Sequence, residues 1–446
     1  MPRQFRTGDY TLVRELNRSI ILNQLWAHPR SRADLSVITG LNKTTVSSLA
    51  SELIVYGFVR EINPNASAGG RPAVPLEINP AAGCIIGLEI GVGYLNVALT
   101  DFCAGLLWKR QIPTDESDEQ HQIINRAARL VHQALKRVER TGIRLLGIGI
   151  TVPGLVDSAS GMVIYAPNLD WRDVPLGQIF SRKFDAPILV DNDANAAALA
   201  ERYLGVAQAA NKCVYVVANL GIGVGLVLDG QIYHGATGYA GEAGHVTLDP
   251  EGPPCHCGNR GCWERFASQT ALLERLNGTN QNVSSAESPS HASLQAVLEA
   301  ARHGDAAAQA ALEKTGEYLG IGIANLINTF NPDLVVLGGL LSQAEEFLLP
   351  VIQQTVARRA ISGPREVAQL VISEYKSDAC VMGGVAIVIH DILCQPKFES
   401  TPSLGQSQVF STQVPKKIDR SSQRLTDHSR SLSVIQNRQN QQPNVR

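Results

Sequence analysis

The chain of 446 residues is 44% hydrophobic, long enough for two or three domains with real cores, which excludes a fibrous or wholly disordered protein. Its 39 Lys and Arg nearly cancel 41 Asp and Glu, which excludes a global electrostatic attraction to nucleic acid as the basis of function. Five of the eight cysteines are scattered singly (Cys84, Cys103, Cys213, Cys380, Cys394), so no disulfide framework is expected; with no signal segment and no apolar run of membrane length, a cytoplasmic setting is expected.

From Thr11 to about His28, Val13, Leu16, Ile20 and Leu25 recur at helical spacing, and His28-Pro29 closes the segment. Ser31 is placed to cap a short helix through Ile38, Thr39-Gly40-Leu41 makes a turn, and Asn42 caps a second helix whose inner face is Val46, Leu49 and Leu53. The opposite face offers Lys43, Thr44, Thr45, Ser47 and Ser48 near the helix N-terminus, where the recognition helix of a helix-turn-helix touches base edges. Two extended pieces, about Val59 to Asn63 and Val74 to Asn79, flank the tip SAGGRP. They read as a wing that sets Arg71 against a narrow minor groove. Nine Lys and Arg against six Asp and Glu give residues 1–80 a mild positive excess. The expectation for 1–80 is a winged helix-turn-helix binding operator DNA as a homodimer or higher homo-oligomer.

Asn79 to Gly83 reads as a linker into a second, larger domain over residues 84–394. CIIGLEIGVGYLNVALTD and LLWKRQIP are consecutive strands, Glu119 to Thr141 is a helix, and LLGIGITVPG is a buried strand. A second copy of this βββαβ unit follows in CVYVVANLGIGVGLVLDG, QIYHG, the helix from Asp305 to Asn328, and DLVVLGG. The class is α/β, a duplicated architecture with a cleft between two lobes. Gly91 and Gly93, and Gly221 to Gly225, sit in turns that can cradle phosphates or simply serve tight strand connections. Between the copies, ILVDNDANAAALAERYLG is a strand ending at Asp191-Asn192-Asp193, then an alanine-rich helix; polar residues at such a strand end sit where ligands bind. Asn277 to Ser290 reads as a polar surface insertion, and residues 395–446, poor in apolar content, as a disordered tail.

The stretch from Gly235 to Ser268 places His245, Cys255, Cys257 and Cys262 among glycines and prolines, beside Glu242 and Glu264. Three thiols and an imidazole match a closed four-coordinate zinc site, which leaves no open position and is therefore structural.

GATGYAGEAGHVTLDPEGPPCHCGNRGCWERFAS, with VDNDANAAALAE and LGIGVG, resembles the ROK family, which contains sugar kinases and sugar-responsive transcriptional repressors. The helix-turn-helix, which the kinases lack, and GLNKTTVSSLASELI with YAPNLDWRDVPL look most like the xylose-repressor branch. The resemblance implies an actin-like ATPase fold with a sugar cleft lined by Asn192, Asp193, Glu242, His245, Glu264 and Asn168. It also implies a test between kinase and repressor. In the kinases the Asp matching Asp193 is the general base, and the first turn reads Asp-x-Gly-Gly-Thr where this chain has Glu89-Ile90-Gly91-Val92-Gly93. The second turn, Leu-Gly-Thr-Gly in kinases, is Leu220-Gly221-Ile222-Gly223. The expectation is a regulator responsive to a sugar such as xylose, not an enzyme; an ATP-dependent sugar kinase is the alternative.

Overall fold

The computed structural model describes residues 10–62, 74–115, 118–139, 142–279 and 291–396, all within one compact unit. The proposed wing tip with Arg71, most of the 277–290 insertion and nearly all of the proposed tail lie outside the described residues.

The first module runs α1 (Tyr10–Ala27), β1 (Arg30–Ser31), α2 (Arg32–Thr39), α3 (Lys43–Val55), β2 (Val59–Glu61) and β3 (Pro75–Ile78). Ser31 caps α2 in a reciprocal pair: its Oγ accepts from the Asp34 N–H, and the Asp34 carboxylate accepts from the Ser31 N–H. Gly40, at φ 71°, takes the left-handed conformation that ends α2 and turns the chain into α3. Asn42 Oδ1 accepts from the Thr45 N–H at 2.8 Å, and α3 buries Val46, Leu49, Ala50 and Leu53. The three short strands form an antiparallel sheet in the order β1-β3-β2.

The helix expected from Thr11 to about His28 forms as α1, but the residues that mark its period are not its whole buried face. Val13, Leu16 and Ile20 are exposed, at 47%, 54% and 42%, while Ile21, Leu22 and Leu25 are buried. The sequence of α1 holds two adjacent apolar stripes, and helical period alone does not say which of them faces the core.

The body contains two five-stranded sheets. The first uses β4 (Cys84–Gly91), β5 (Tyr94–Asp101), β6 (Leu106–Pro113), α4 (Gln120–Glu139) and β7 (Leu145–Val152). A small sheet, β8 (Leu155–Asp157), β9 (Met162–Ala166) and β10 (Trp171–Val174), then precedes α5 (Leu176–Ser181), β11 (Ile188–Asn192) and α6 (Asp193–Leu204). The second uses β12 (Cys213–Ala218), β13 (Ile222–Leu228) and β14 (Gln231–Ile232), then α7 (Glu264–Ala267), α8 (Gln269–Thr279), α9 (His291–Arg302) and α10 (Ala306–Phe330). It finishes with β15 (Leu334–Gly338), α11 (Glu345–Arg359), α12 (Ser362–Val367), β16 (Gln369–Ile372) and α13 (Ala379–Cys394). The orders are β11-β7-β4-β5-β6 and β14-β13-β12-β15-β16. Each is the same path: an antiparallel meander of three, then two parallel strands added beside the first. The repeat is therefore longer than the βββαβ unit read from sequence. Ile188–Asn192 is the fifth strand of copy one rather than a piece between copies, and β16 is its short counterpart in copy two.

Helix α13 crosses the first sheet where glycine allows backbones to touch. A Cβ on Gly149 would lie 1.8 Å from the Gly384 carbonyl oxygen, and one on Gly87 2.3 Å from that of Val381. This helix also corrects an expectation. Lys376–Cys394 is long and apolar enough to cross a membrane, with mean hydropathy 1.6, yet twelve of the sixteen residues of α13 are buried inside the fold. Asn79 to Gly83 is likewise a packed joint: Pro80–Ala82 is a 3-10 turn, Asn79 Nδ2 donates to the Gly57 carbonyl, and Arg144 Nε donates to that of Ala82. Gly149→Ala should destabilise the protein by about 3 kcal/mol, because no side chain is there to yield; the midpoint of urea unfolding by circular dichroism measures it.

Candidate functional site

The stretch from Gly241 to Ser268 is shaped by close backbone approaches. Gly241 and Gly244 lie against the carbonyls of Val224 and Ile222, with 2.1 Å to an added Cβ in each case, which presses the Glu242–His245 segment onto β13. Isolated bridges Thr247↔Cys262 and Pro254↔Arg260 then form a tight hairpin. Within it Cys255 N–H donates to the Asn259 carbonyl and Gly258 N–H to that of Cys255, so the tip curls back under Cys262. Buried Trp263 anchors the far end: its Nε1 donates to the Tyr318 carbonyl, and its ring lies over Gly322.

This folding gathers His245, Cys255, Cys257 and Cys262 so that one ligand atom from each lies within 4.8 Å of the others. Cys257 Sγ is 3.7 Å from Cys262 Sγ, and Cys255 Sγ 3.6 Å from His245 Nδ1. A tetrahedral ion with bonds of about 2.3 Å to sulfur sets its ligand atoms roughly 3.5–3.8 Å apart; these two pairs already have that spacing, and the S₃N donor set as a whole is gathered closely enough to hold a metal ion. Burial pushes the thiols of Cys255 and Cys262 up, the direction that a divalent cation reverses when it takes thiolates.

The metal-ligand cluster forms one wall of a cleft of about 1210 Å³. All six residues expected to face a sugar line it: Asn168, Asn192, Asp193, Glu242, His245 and Glu264. Asn192 ends β11 and caps α6, with Oδ1 accepting from the Ala194 and Asn195 N–H groups and Nδ2 donating to the Gly154 carbonyl at 2.9 Å. His245 links the two chemistries. Its Nδ1 faces Cys255, and its Nε2 lies 3.9 Å from a Glu242 carboxylate oxygen. Glu264 Oε1 sits 3.0 Å from Cys255 Sγ and 3.5 Å from His245 Nδ1.

The cleft is a place of expensive negative charge. Burial pushes Asp193 up to about 6 and Glu89 up to about 7, and the nearby Asp193 carboxylate adds to the rise of Glu89. Glu242 is also raised, by desolvation first and by Asp193 and Glu264 after it. Four carboxyl groups facing one cavity want hydrogen-bond donors, which sugar hydroxyls supply and phosphates do not.

Both glycine turns prove to be occupied from within the chain. The Tyr94 ring fills the space over Gly91, where a Cβ would meet Cζ at 2.3 Å, and its hydroxyl donates to Glu89 Oε1 at 2.6 Å. In the second turn the vacancy over Gly221 is taken by Glu264, with Oε2 2.7 Å from an added Cβ. Tyr94 escaped the sequence reading. Its position directly after Gly93 was the available signal. His234 was missed too: its Nε2 pairs with Asp191 at 3.2 Å, a contact between distant segments that spacing does not reveal. On the first module, Lys43, Thr44, Ser47 and Ser48 are exposed along α3, whereas Thr45 is partly buried with its N–H in the cap.

The family profile described as "ROK family" matches residues 85–391. The chain belongs to the ROK family. The putative xylose repressor of Caldicellulosiruptor sp. is 38% identical over 397 residues, 88% of this chain and 100% of the relative. The crystal structure of a ROK family transcriptional regulator, a homolog of the Escherichia coli MLC protein, is 30% identical. It matches with a TM-score of 0.74 over 86% of this chain and 97% of its own. A ROK family glucokinase from Streptomyces griseus, solved with glucose and AMPPNP, is 27% identical with a TM-score of 0.60 over 68% of this chain and 99% of its own.

Two outcomes follow from the site. Cys257→Ser leaves three protein ligands and should release most of the bound metal from the purified protein, read by elemental analysis. Asp193 titrates near 3.9 when unfolded and near 6 when folded, so protonation favours the fold as pH falls through about 6. Asp193→Asn should therefore raise the melting temperature of unliganded protein more at pH 7.5 than at pH 5.

Proposed function

We propose that this chain is a sugar-responsive transcriptional repressor whose operator affinity is set by occupancy of the cleft. The observation that carries the reading is the coexistence, in one compact unit, of a polar cleft with six convergent hydrogen-bonding side chains and a helix-turn-helix with an exposed, basic and hydroxyl-bearing face. The named repressors and regulators support it over their full length. The likeness to the glucokinase covers 68% of the chain against 86% for the regulator, a gap of 18% that is the size of the first module.

Asn192, Asp193, Glu242, Glu264, His245 and Asn168 are assigned to the sugar. Carboxylates and amides pair with vicinal hydroxyls, and such a site rejects sugars that lack them because its own groups would be left unpaired. Xylose is the ligand favoured by the relatives' names. The ion held by His245, Cys255, Cys257 and Cys262 is assigned as zinc from its S₃N donor set; when bound it fixes the imidazole and the turn that carries it. Lys43, Thr44, Thr45, Ser47, Ser48 and Arg71 are assigned to operator DNA, bound by a homo-oligomer.

A kinase reading is supported by Asp193 at the cleft, but the phosphate side argues against it. Two hydroxyls are replaced by Val92-Gly93 and Ile222, Tyr94 fills the first turn and Glu264 the second. Each lost hydrogen bond to a charged phosphate is worth about 1.5–3 kcal/mol. Repressor and kinase separate cleanly in a binding experiment. Purified protein should release a labelled operator duplex on adding D-xylose, D-glucose or N-acetylglucosamine, and should turn over no ATP with any of them. Sugar-dependent ADP release would decide for the kinase.

Two substitutions test the assignments. Asp193→Asn should weaken sugar binding by roughly 10- to 100-fold, the loss of one charged hydrogen bond, while sugar-free operator binding stays as it was. Lys43→Ala should weaken operator binding and reduce the slope of log affinity against log salt by about 0.9 if it contacts a phosphate.

A further inference from the structure

We propose that the helix pair α6 and α13 carries the state of the cleft to the DNA-binding module, with Trp26 and Tyr203 as the positioning residues at the joint. This rests on the regulator reading above.

Helix α6 starts in the cleft. Asn192 is its cap and Asp193 its first residue, so a ligand that pulls on either acts on the first turn of the helix. Twelve residues carry that displacement about 18 Å. The helix body has little room to absorb it: Ala194 to Glu201 are all buried, and five of those eight are alanine. Packing is backbone against backbone on two sides. A Cβ on Gly225 of β13 would lie 2.4 Å from the Ala194 carbonyl oxygen, and one on Gly383 of α13 2.5 Å from the Ala196 carbonyl carbon. Helix α6 is thus wedged between a strand of the second sheet and the helix that crosses the first. Any change in the angle between the sheets must move it against one of them.

The other end of the wedge is tied to the first module. Trp26 of α1 donates its Nε1–H to the Tyr203 carbonyl, one residue before α6 ends, at 3.0 Å, and the two rings meet edge to face at 6.2 Å. The Tyr203 hydroxyl pairs with His390 Nδ1 of α13 at 2.8 Å, so the two helices are joined there. Helix α13 ends in the same place. The Leu393 carbonyl accepts from Ser19 Oγ at 2.6 Å and from Asn23 Nδ2 at 3.1 Å. Three side chains of α1 therefore take up carbonyls from the last turns of two helices that begin elsewhere. The chain of contacts continues from α1, where Arg14 and Arg18 both pair with Glu52 of α3, the helix bearing Lys43. A shift of α6 or α13 changes where α1 sits, and α1 holds α3 by ions as well as by its apolar face.

The test keeps the full chain. Operator affinity is measured by anisotropy of a labelled duplex, with and without the sugar among D-xylose, D-glucose and N-acetylglucosamine that releases the wild type. Trp26→Phe removes the N–H donor and keeps an aromatic ring; Tyr203→Phe removes the hydroxyl that meets His390 and Cys394 of α13 and leaves the carbonyl that Trp26 holds. If wild-type release is about tenfold or more, within the usual range for coupled sites, Trp26→Phe should cut that ratio to threefold or less. Its sugar affinity by calorimetry and its sugar-free operator affinity should stay within about twofold of wild type. Tyr203→Phe should lower the ratio in the same direction. Hydrogen exchange over residues 10–27 of the wild type should change on adding sugar. An unaltered ratio in both folded variants overturns the proposal and leaves the regulator reading intact. So does loss of sugar-free operator binding in Trp26→Phe, since the residue would then only support the module. If no sugar releases the wild type, the regulator reading itself falls.

Discussion

The close crossing of α13 over the first sheet is the constraint on which the rest depends. Gly87, Gly149 and Gly384 let main chain lie against main chain there, with the Gly384 carbonyl oxygen 1.8 Å from the Cβ that Gly149 lacks. A helix so near the sheet leaves no layer of side chains to shear, so its two ends move together with the strands. Three parts of the molecule are attached to it: α6 along its length, the first module at Leu393, and the polar floor of the cleft near Cys380. The apolar core reflects this. One continuous cluster joins Ile21, Leu22 and Leu53 of the helix-turn-helix to Val385, Ile389 and Leu393 of α13 and to Ala196 and Ala200 of α6.

The cleft is governed by a second constraint, the cost of gathered carboxylates. Asp193, Glu89, Glu242 and Glu264 face one another across a cavity, and the protein tolerates them by raising the protonation of the first three and by donating to Glu89 from Tyr94. A neutral polyol relieves that cost by supplying hydrogens, whereas a triphosphate adds charge of the same sign. The glycine turns carry the same bias. Glycines that in a phosphate site would admit backbone N–H groups to an anion here admit a phenol ring and a carboxylate.

Much of this was legible in the residues. Capping pairs at Ser31 and Asn42, the glycine at position 40, and the inner face Val46-Leu49-Leu53 are local chemistry, and local chemistry is what a sequence states directly. The Cys and His spacing of the metal loop was readable for the same reason. What was not legible depended on partners far along the chain. The buried stripe of α1 packs on α2 and α3 but also on β3 and α13, and these last two lie far along the chain. Tyr94 reads as an ordinary strand residue until its ring is seen over Gly91. Helix α13 is apolar over most of its surface because twelve of its sixteen residues are enclosed, and composition alone makes that indistinguishable from a membrane segment.

His245 has one further consequence. Its imidazole is shared, with Nδ1 turned to the cysteines and Nε2 to Glu242. Commitment of Nδ1 to an ion leaves the ring hydrogen on Nε2, so on the cleft side this histidine is a donor at every pH where the ion stays bound. Around it Glu242 and Glu264 accept. With an ion bound, this wall of the cleft would present an imidazole donor between two carboxyl groups. Stripping the ion frees the ring to change tautomer. The polarity of that wall is then no longer written into the fold.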